Sequence, residues 1–302
     1  MLPRIFSEIV NGVWAMEKSY ADAYIPIITN LIAGKVDPGF KPSMANMPFR
    51  EQNYDKQDIC YFSAQGNIFS VSEYGESDPP EEAPRNSIAI VNISDVIAKN
   101  DTACGPSGTV TKGRLLQRSD ANPNIKGIIL KVDSPGGEGY AARELSRIIR
   151  SIDKPVLAFV DDLSASAAYW ISASADYIIA NSEVAKIGSI GTYVTLADYD
   201  DFWKQQGIRL IEIYADKSTD KNKAYYEAID KGDFTLIKKD INRFNDLFIN
   251  SISEMRQGKL TKAETWGTGK LFDADQALEL GLIDQIGVWE ETIKSFATQL
   301  NI

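Results

Sequence analysis

Residues 126–140 read KGIILKVDSPGGEGY. A short, nearly unbroken apolar run ends on Asp133, Ser134 and Pro135, then Gly136, Gly137 and Gly139. A helix-compatible pattern follows at once, from Tyr140 to Ile152. Apolar runs of this kind mark strands buried on both faces, and a glycine-rich turn leading straight into a helix marks a β-α unit. The same texture extends outward in both directions. SIAIVNISDVI (87–97) precedes it; KPVLAFV (154–160), DYIIAN (176–181) and IRLIEIYA (208–215) follow as further strand candidates. Helical patterns separate them at 111–119, 140–152, 167–175 and 196–206. Strands alternating with helices predict an α/β fold with a mainly parallel sheet.

Other segments are placed by contrast with this core. Ile9, Val13, Trp14, Met16 and Tyr20 recur at roughly helical spacing, so residues 1–50 read as mostly helical. CYFSAQGNIFSVSE (60–73) reads as a short strand pair. GESDPPEEAPRN (75–86), rich in Pro and Glu, reads as an exposed linker. The division expected is therefore a helical extension with linker over 1–86 and an α/β domain over 87–302. The 234–255 segment predicts one long helix with Phe244, Leu247, Phe248, Ile252 and Met255 on its core face.

Composition narrows the chemistry. The 302 residues carry a formal net charge of −10, which disfavours nucleic-acid binding through phosphate neutralisation. Two cysteines, Cys60 and Cys104, form no CxxC pair, so a structural zinc site is not expected and both read as reduced thiols. No secretory signal or membrane-length apolar window is apparent, so a cytoplasmic protein is expected. The chain contains no histidine. Ser-His-Asp triads and HExxH zinc sites are thereby excluded within it. No Walker A or GxSxG pattern occurs, and no cofactor is indicated.

Three stretches hold the chemistry. DDLSASAAYWISASAD (161–176) sets Ser166 at the start of a helix among small residues. Such a serine is either an N-cap or a nucleophile whose developing charge the free amides of the first turn would stabilise. The amides of the Gly136–Gly137 turn suit a phosphate, an oxyanion or a plain strand-to-helix turn. The acidic flank of Asp133 and Glu138 fits an oxyanion better than a phosphate. AKIGSIGTY (185–193) brackets Ser189 with glycines and by itself reads as a turn.

Together and in this order, DSPGG, ASAAYW and GSIG resemble the signal peptide peptidase A family of the Clp protease/crotonase superfamily. WGTGKLFDADQALELGLIDQIG (266–287) resembles that family's C-terminal pattern. The resemblance spans roughly residues 87–290. It implies a Clp/crotonase-like core and a serine endopeptidase in which Ser166 is the nucleophile and a lysine the base, which removes the need for histidine. Lysine serves as a base only when its pKa falls well below about 10.4, as desolvation makes it do. By the family's order that lysine lies in IYADKSTDKNKAYYE; Lys221 is favoured, Lys217 is the alternative, and Lys223 also qualifies by distance. Ser189 matches the hydroxyl that orients the amine. The oxyanion hole would use the amide of Gly136 or Gly137 with that of Ala167. The sequence departs from the family's Gly-Gly at Ala167-Ala168, where a Cβ disfavours positive φ.

The resemblance further implies a ring- or dome-shaped homo-oligomer acting on extended polypeptides. The N-terminal form looks like the phage and prophage branch, which processes capsid and scaffold precursors in the host cytoplasm. A cytosolic peptidase of signal peptides or short peptides, an inactive scaffolding protein of the same fold, and an acyl-CoA enzyme of the crotonase type are the alternatives.

Overall fold

The computed structural model describes residues 13–16, 58–63, 65, 66, 68, 69, 79–101, 107–196, 198, 200–205, 207, 209 and 211–302. The expected α/β class with a mainly parallel sheet is what forms. β1 (Val13–Met16), β2 (Ile59–Ser63) and β3 (Ile68–Phe69) precede β4 (Ser87–Ile97). Then come α1 (Thr109–Ala121), β5 (Ile125–Glu138), α2 (Gly139–Ile149), β6 (Val156–Ala165) and α3 (Ala167–Ser172). β7 (Tyr177–Ala180), β8 (Lys186–Gly188), β9 (Tyr193–Val194) and α4 (Asp200–Gln205) follow. The chain continues through α5 (Lys223–Lys231), α6 (Thr235–Met255), α7 (Ala263–Trp266), β10 (Leu271–Asp273), α8 (Ala274–Glu279), β11 (Gln285–Ile286) and α9 (Trp289–Gln299).

The main path of the sheet runs β10-β8-β6-β5-β4-β2-β3. The β4–β5, β5–β6, β6–β7 and β6–β8 pairings are parallel, as β-α crossovers require. Both faces are covered, which explains the near-continuous apolar strands. On one face Ala89, Val91, Ile128 and Leu130 pack with Leu116, Leu145, Trp170 and Phe248. On the other, Ile88, Ile90, Ile129 and Phe159 pack with Ile293, Phe296 and Ala297 of α9. Phe244, Phe248 and Ile252 of α6 are buried as their spacing predicts, with Leu247 and Met255 packed beside them. Cys60 is a free thiol whose pKa burial pushes up to about 11; Cys104 lies outside the described residues.

Three expectations change. Val13–Met16 forms a strand, not a helix, because it finds partners in β5 and β9; the remainder of 1–50 lies outside the described residues. The described part of the supposed linker is packed only in part: Pro79–Glu82 forms a 3₁₀ turn, Pro80 and Ala83 are buried and Asn124 donates to the Ala83 carbonyl at 3.2 Å, while Glu81, Arg85 and Asn86 are exposed as expected. IRLIEIYA is not a strand where it is described. Residues 211–215 are exposed and join no ladder of the sheet; the Ala215 carbonyl instead accepts the Ser218 amide at 2.8 Å. High β-propensity without a partner makes no strand.

Candidate active site

β6 changes neighbours along its length, and that change builds the site. Leu157–Val160 pair with β7, whereas Leu163–Ala165 pair with β8. On its other edge β6 follows β5 as far as Ser134↔Ser164. Beyond that point β6 turns sharply at Ser166 and enters α3.

Ser166 bears two costs at once. Its backbone sits at φ 56°, ψ −117°, a sparsely populated region for a residue with a Cβ, costing roughly 1–3 kcal/mol. Its hydroxyl is buried and has no hydrogen-bond partner among the described residues, a further penalty of about 1–3 kcal/mol. The N-cap role is ruled out, because no side-chain cap bond forms. Neighbouring serines differ. Ser164 and Ser172 share a 2.9 Å hydrogen bond, and Ser174 donates to Ser146 at 2.6 Å and to the Trp170 carbonyl at 2.9 Å. Strain and an unpaired buried hydroxyl thus coincide on this one serine.

Rigid packing holds that geometry. The Ser166 amide donates to Gly188 at 2.7 Å, and the Trp170 amide donates back to the Ser166 carbonyl at 3.0 Å. Trp170 stacks on Phe248 with centroids 4.4 Å apart, tying α3 to α6. The Tyr169 hydroxyl donates to the Leu282 carbonyl at 2.7 Å. Ala167 and Ala168 are fully buried in helical geometry; the positive φ falls on Ser166 instead, so their Cβ atoms cause no conflict.

The glycine turn ends β5 next to this corner. Gly136 and Gly137 adopt φ 97° and 156°. A Cβ on Gly137 would stand 2.2 Å from the Ile97 carbonyl oxygen, so the position tolerates no side chain. The Gly136 amide already donates to the Ser134 hydroxyl at 3.2 Å, and that hydroxyl donates to the Asp95 carbonyl. Of the two candidate oxyanion donors, the Gly136 amide is held by Ser134, whereas Gly137 stands in register with Ile97 on one edge and Ala15 on the other.

Ser189 lies on the β8 side, one residue beyond Gly188. Its φ is 51°, its amide donates to Lys270 at 2.8 Å, and it is nearly buried. It lines a cleft of about 400 Å³ together with Tyr193, Asn245 and Thr268. Acidic groups collect where β4, β5 and β6 end. Asp133 reaches solvent, yet the surrounding protein, followed by the charges of Asp162, Asp161 and Asp95, pushes its carboxyl up to about 6.

Comparison with known proteins places the chain in a family. The model of peptidase family S49 matches residues 148–302, just over half of the chain. The chain belongs to peptidase family S49. It is 28% identical over 219 residues to Protease 4 of Haemophilus influenzae, covering 72% of this chain and 35% of that protein. It is 26% identical over 239 residues to a putative signal peptide peptidase SppA of Enterococcus faecium, covering 76% and 68%. It is 24% identical over 234 residues to capsid assembly protease C of Escherichia phage lambda, covering 74% and 53%. The chain thus spans about a third of the first of these relatives and about half of the last.

No described residue hydrogen-bonds the Ser166 hydroxyl, the three candidate lysines included. Lys217, Lys221 and Lys223 are all exposed, in a stretch where Ile211 and Ile213 are 69% and 91% exposed. Among the described residues the buried lysine is Lys112, committed to Asp58 at 2.9 Å and the Asn92 carbonyl at 2.7 Å. The φ of Ser166 and its bond to Gly188 had no sequence signal, since serine rarely adopts that conformation and the bond joins distant segments. No described helix is long and apolar enough to cross a membrane.

Proposed function

We propose that this S49 peptidase is a serine endopeptidase in which Ser166 attacks the peptide carbonyl and Lys221 takes its proton. The observation that carries this reading is the buried, unpartnered Ser166 hydroxyl on a strained turn between Gly137 and Ser189. Gly137 and Ala167 supply the oxyanion amides, and Ser189 orients the lysine amine. The exposed 211–223 arm, with its apolar Ile211 and Ile213, fits delivery of the lysine into the site of a second copy in a homo-oligomer. Packing there would desolvate the amine, as its role as a base requires.

The reaction is acyl transfer followed by hydrolysis. The substrates are extended segments of polypeptide, and the relation to a phage capsid assembly protease favours capsid or scaffold precursors. Casein hydrolysis by wild type, Ser166→Ala, Lys221→Ala and Lys217→Ala tests the assignment. Wild type and Lys217→Ala should cleave, and the other two should not. Mixing the two dead variants should restore cleavage if one copy completes another's site. Cleavage by Ser166→Ala at the wild-type rate removes the nucleophile from the mechanism.

A further inference from the structure

The sheet has a gap beside Ser166, and the chain fills it with itself. β4 takes one edge of β5 as far as Gly137. On the opposite edge β6 departs after Ser134↔Ser164. Just beyond that departure, β1 lies antiparallel along the vacated edge, with Met16↔Gly136, Ala15↔Gly137 and Trp14↔Glu138. Its other edge pairs antiparallel with β9, as Val13↔Val194 and Trp14↔Tyr193. β1 is thus bound on both sides, between the glycine turn and the segment that follows Ser189. An extended guest strand held by backbone pairing on both edges is how a sheet receives a peptide ligand. Its C-terminal end runs toward the Ser134/Ser164 level, where the turn bearing Ser166 begins.

The register picks out one peptide bond. Residues opposed in an antiparallel ladder can exchange both their N–H···O bonds. The Gly136 amide is taken by the Ser134 hydroxyl at 3.2 Å, which leaves Gly137 as the candidate oxyanion donor that faces the β1 edge. The residue opposite Gly137 is Ala15. We infer that Val13–Met16 is an intramolecular substrate and that the Ala15–Met16 bond is a self-cleavage site. This rests on the serine peptidase reading given above.

The step balances with water as the one co-reactant. Ser166 Oγ bonds to the Ala15 carbonyl carbon while its proton passes to the lysine amine. The Ala15–Met16 C–N bond breaks, and the lysine returns that proton to the Met16 nitrogen. Water then attacks the ester, giving one proton back to Ser166 Oγ and its hydroxyl to the Ala15 acyl group. The segment before Met16 leaves with a carboxyl terminus and empties the groove.

The test uses the full chain as wild type, Ser166→Ala and Ala15→Trp, followed by intact mass and N-terminal sequencing, with casein hydrolysis measured alongside. Wild type is expected to acquire a new terminus reading MEKSY. Ser166→Ala is expected to stay whole. Ala15→Trp is expected to stay whole at this bond and still hydrolyse casein, because an indole does not seat opposite Gly137 and the unseated segment leaves the groove open. Wild type that hydrolyses casein but keeps its N-terminus intact, or is cut at another bond, overturns the inference and leaves the peptidase reading standing. So does scission after Ala15 in Ser166→Ala, or undiminished scission in Ala15→Trp. Wild type that cleaves neither casein nor itself overturns both.

Discussion

The backbone amide of Ser166 donates to the carbonyl of Gly188 at 2.7 Å, and both residues have positive φ, 56° and 119°. The bond locks the end of β6 to the end of β8. It fixes the turn that carries the Ser166 hydroxyl relative to Ser189, the residue after Gly188. Two strands that are far apart in function if they slip by one residue are thereby held in a single register.

Ser166→Gly should make the protein more stable and inactive. Glycine adopts the observed φ and ψ without a Cβ, and the substitution removes the unpaired buried hydroxyl. A gain of about 1–2 kcal/mol is expected from relief of the two penalties. Thermal unfolding of the variant and wild type side by side checks it; an unchanged or lowered midpoint would mean the turn is not strained.

Gly137→Ala should lose both activity and stability. Its Cβ would meet the Ile97 oxygen at 2.2 Å and the Ile97 nitrogen at 2.7 Å, both backbone atoms that cannot step aside. Overpacking of this kind costs about 1–3 kcal/mol. Gly66→Ala, where nothing lies within 4 Å, is the control for glycine loss at positive φ without a clash. Denaturant melts of the two should separate clearly, with Gly137→Ala the lower.

The strands from 87 to 180 were legible because burial on both faces leaves an unmistakable apolar run, and Ser87–Ile97 has the boundaries its sequence suggested. The glycine turn and Ser166 were legible as residue types at one end of the sheet. What escaped was whatever depends on partners distant in sequence. IRLIEIYA has the composition of a strand, yet its described residues 211–215 join no ladder, while Val13–Met16 has helical spacing and two edges that accept it. Periodicity records which face is apolar, not whether a neighbour is waiting. For the same reason the Lys217–Lys223 arm could be placed along the chain but not in space.

Asp133→Asn should stabilise the protein at neutral pH and not in acid. The carboxyl has a folded-state pKa of about 6, well above its ordinary value of 3.8. A raised value means that ionisation is disfavoured in the fold, so the penalty is complete above pH 6. It fades as pH falls from there toward 3.8, where the unfolded chain also takes up its proton. Solvent access to the side chain keeps the gain to about 1 kcal/mol or less. Melting temperatures of wild type and variant should differ at pH 7.5 and converge near pH 4; a constant difference would show that charge is not the cause.

Arg256 and Asp284 should prove the acid-sensitive clamp of the C-terminal half. Arg256 donates from Nη1 and Nη2 to the two Asp284 oxygens at 2.7 and 3.0 Å and from Nε to the Gly281 carbonyl at 3.2 Å, with both side chains buried. Burial alone would raise the Asp284 pKa. Hydrogen bonds and charges from Arg256 and Lys259, with the Ile178 amide, outweigh it and hold the carboxyl below its usual range. A depressed pKa gives stability that is present above the unfolded value and lost as pH falls through the folded one. Arg256→Met leaves a buried carboxylate without its bidentate partner, so a loss of about 3–5 kcal/mol is expected at pH 7. Below the folded pKa Asp284 is protonated and neutral in either protein, and the difference should shrink. Unfolding of wild type and Arg256→Met in urea from pH 7 down to pH 3 reads this directly; a loss that stays constant across that range would assign the role of Arg256 to packing instead of charge.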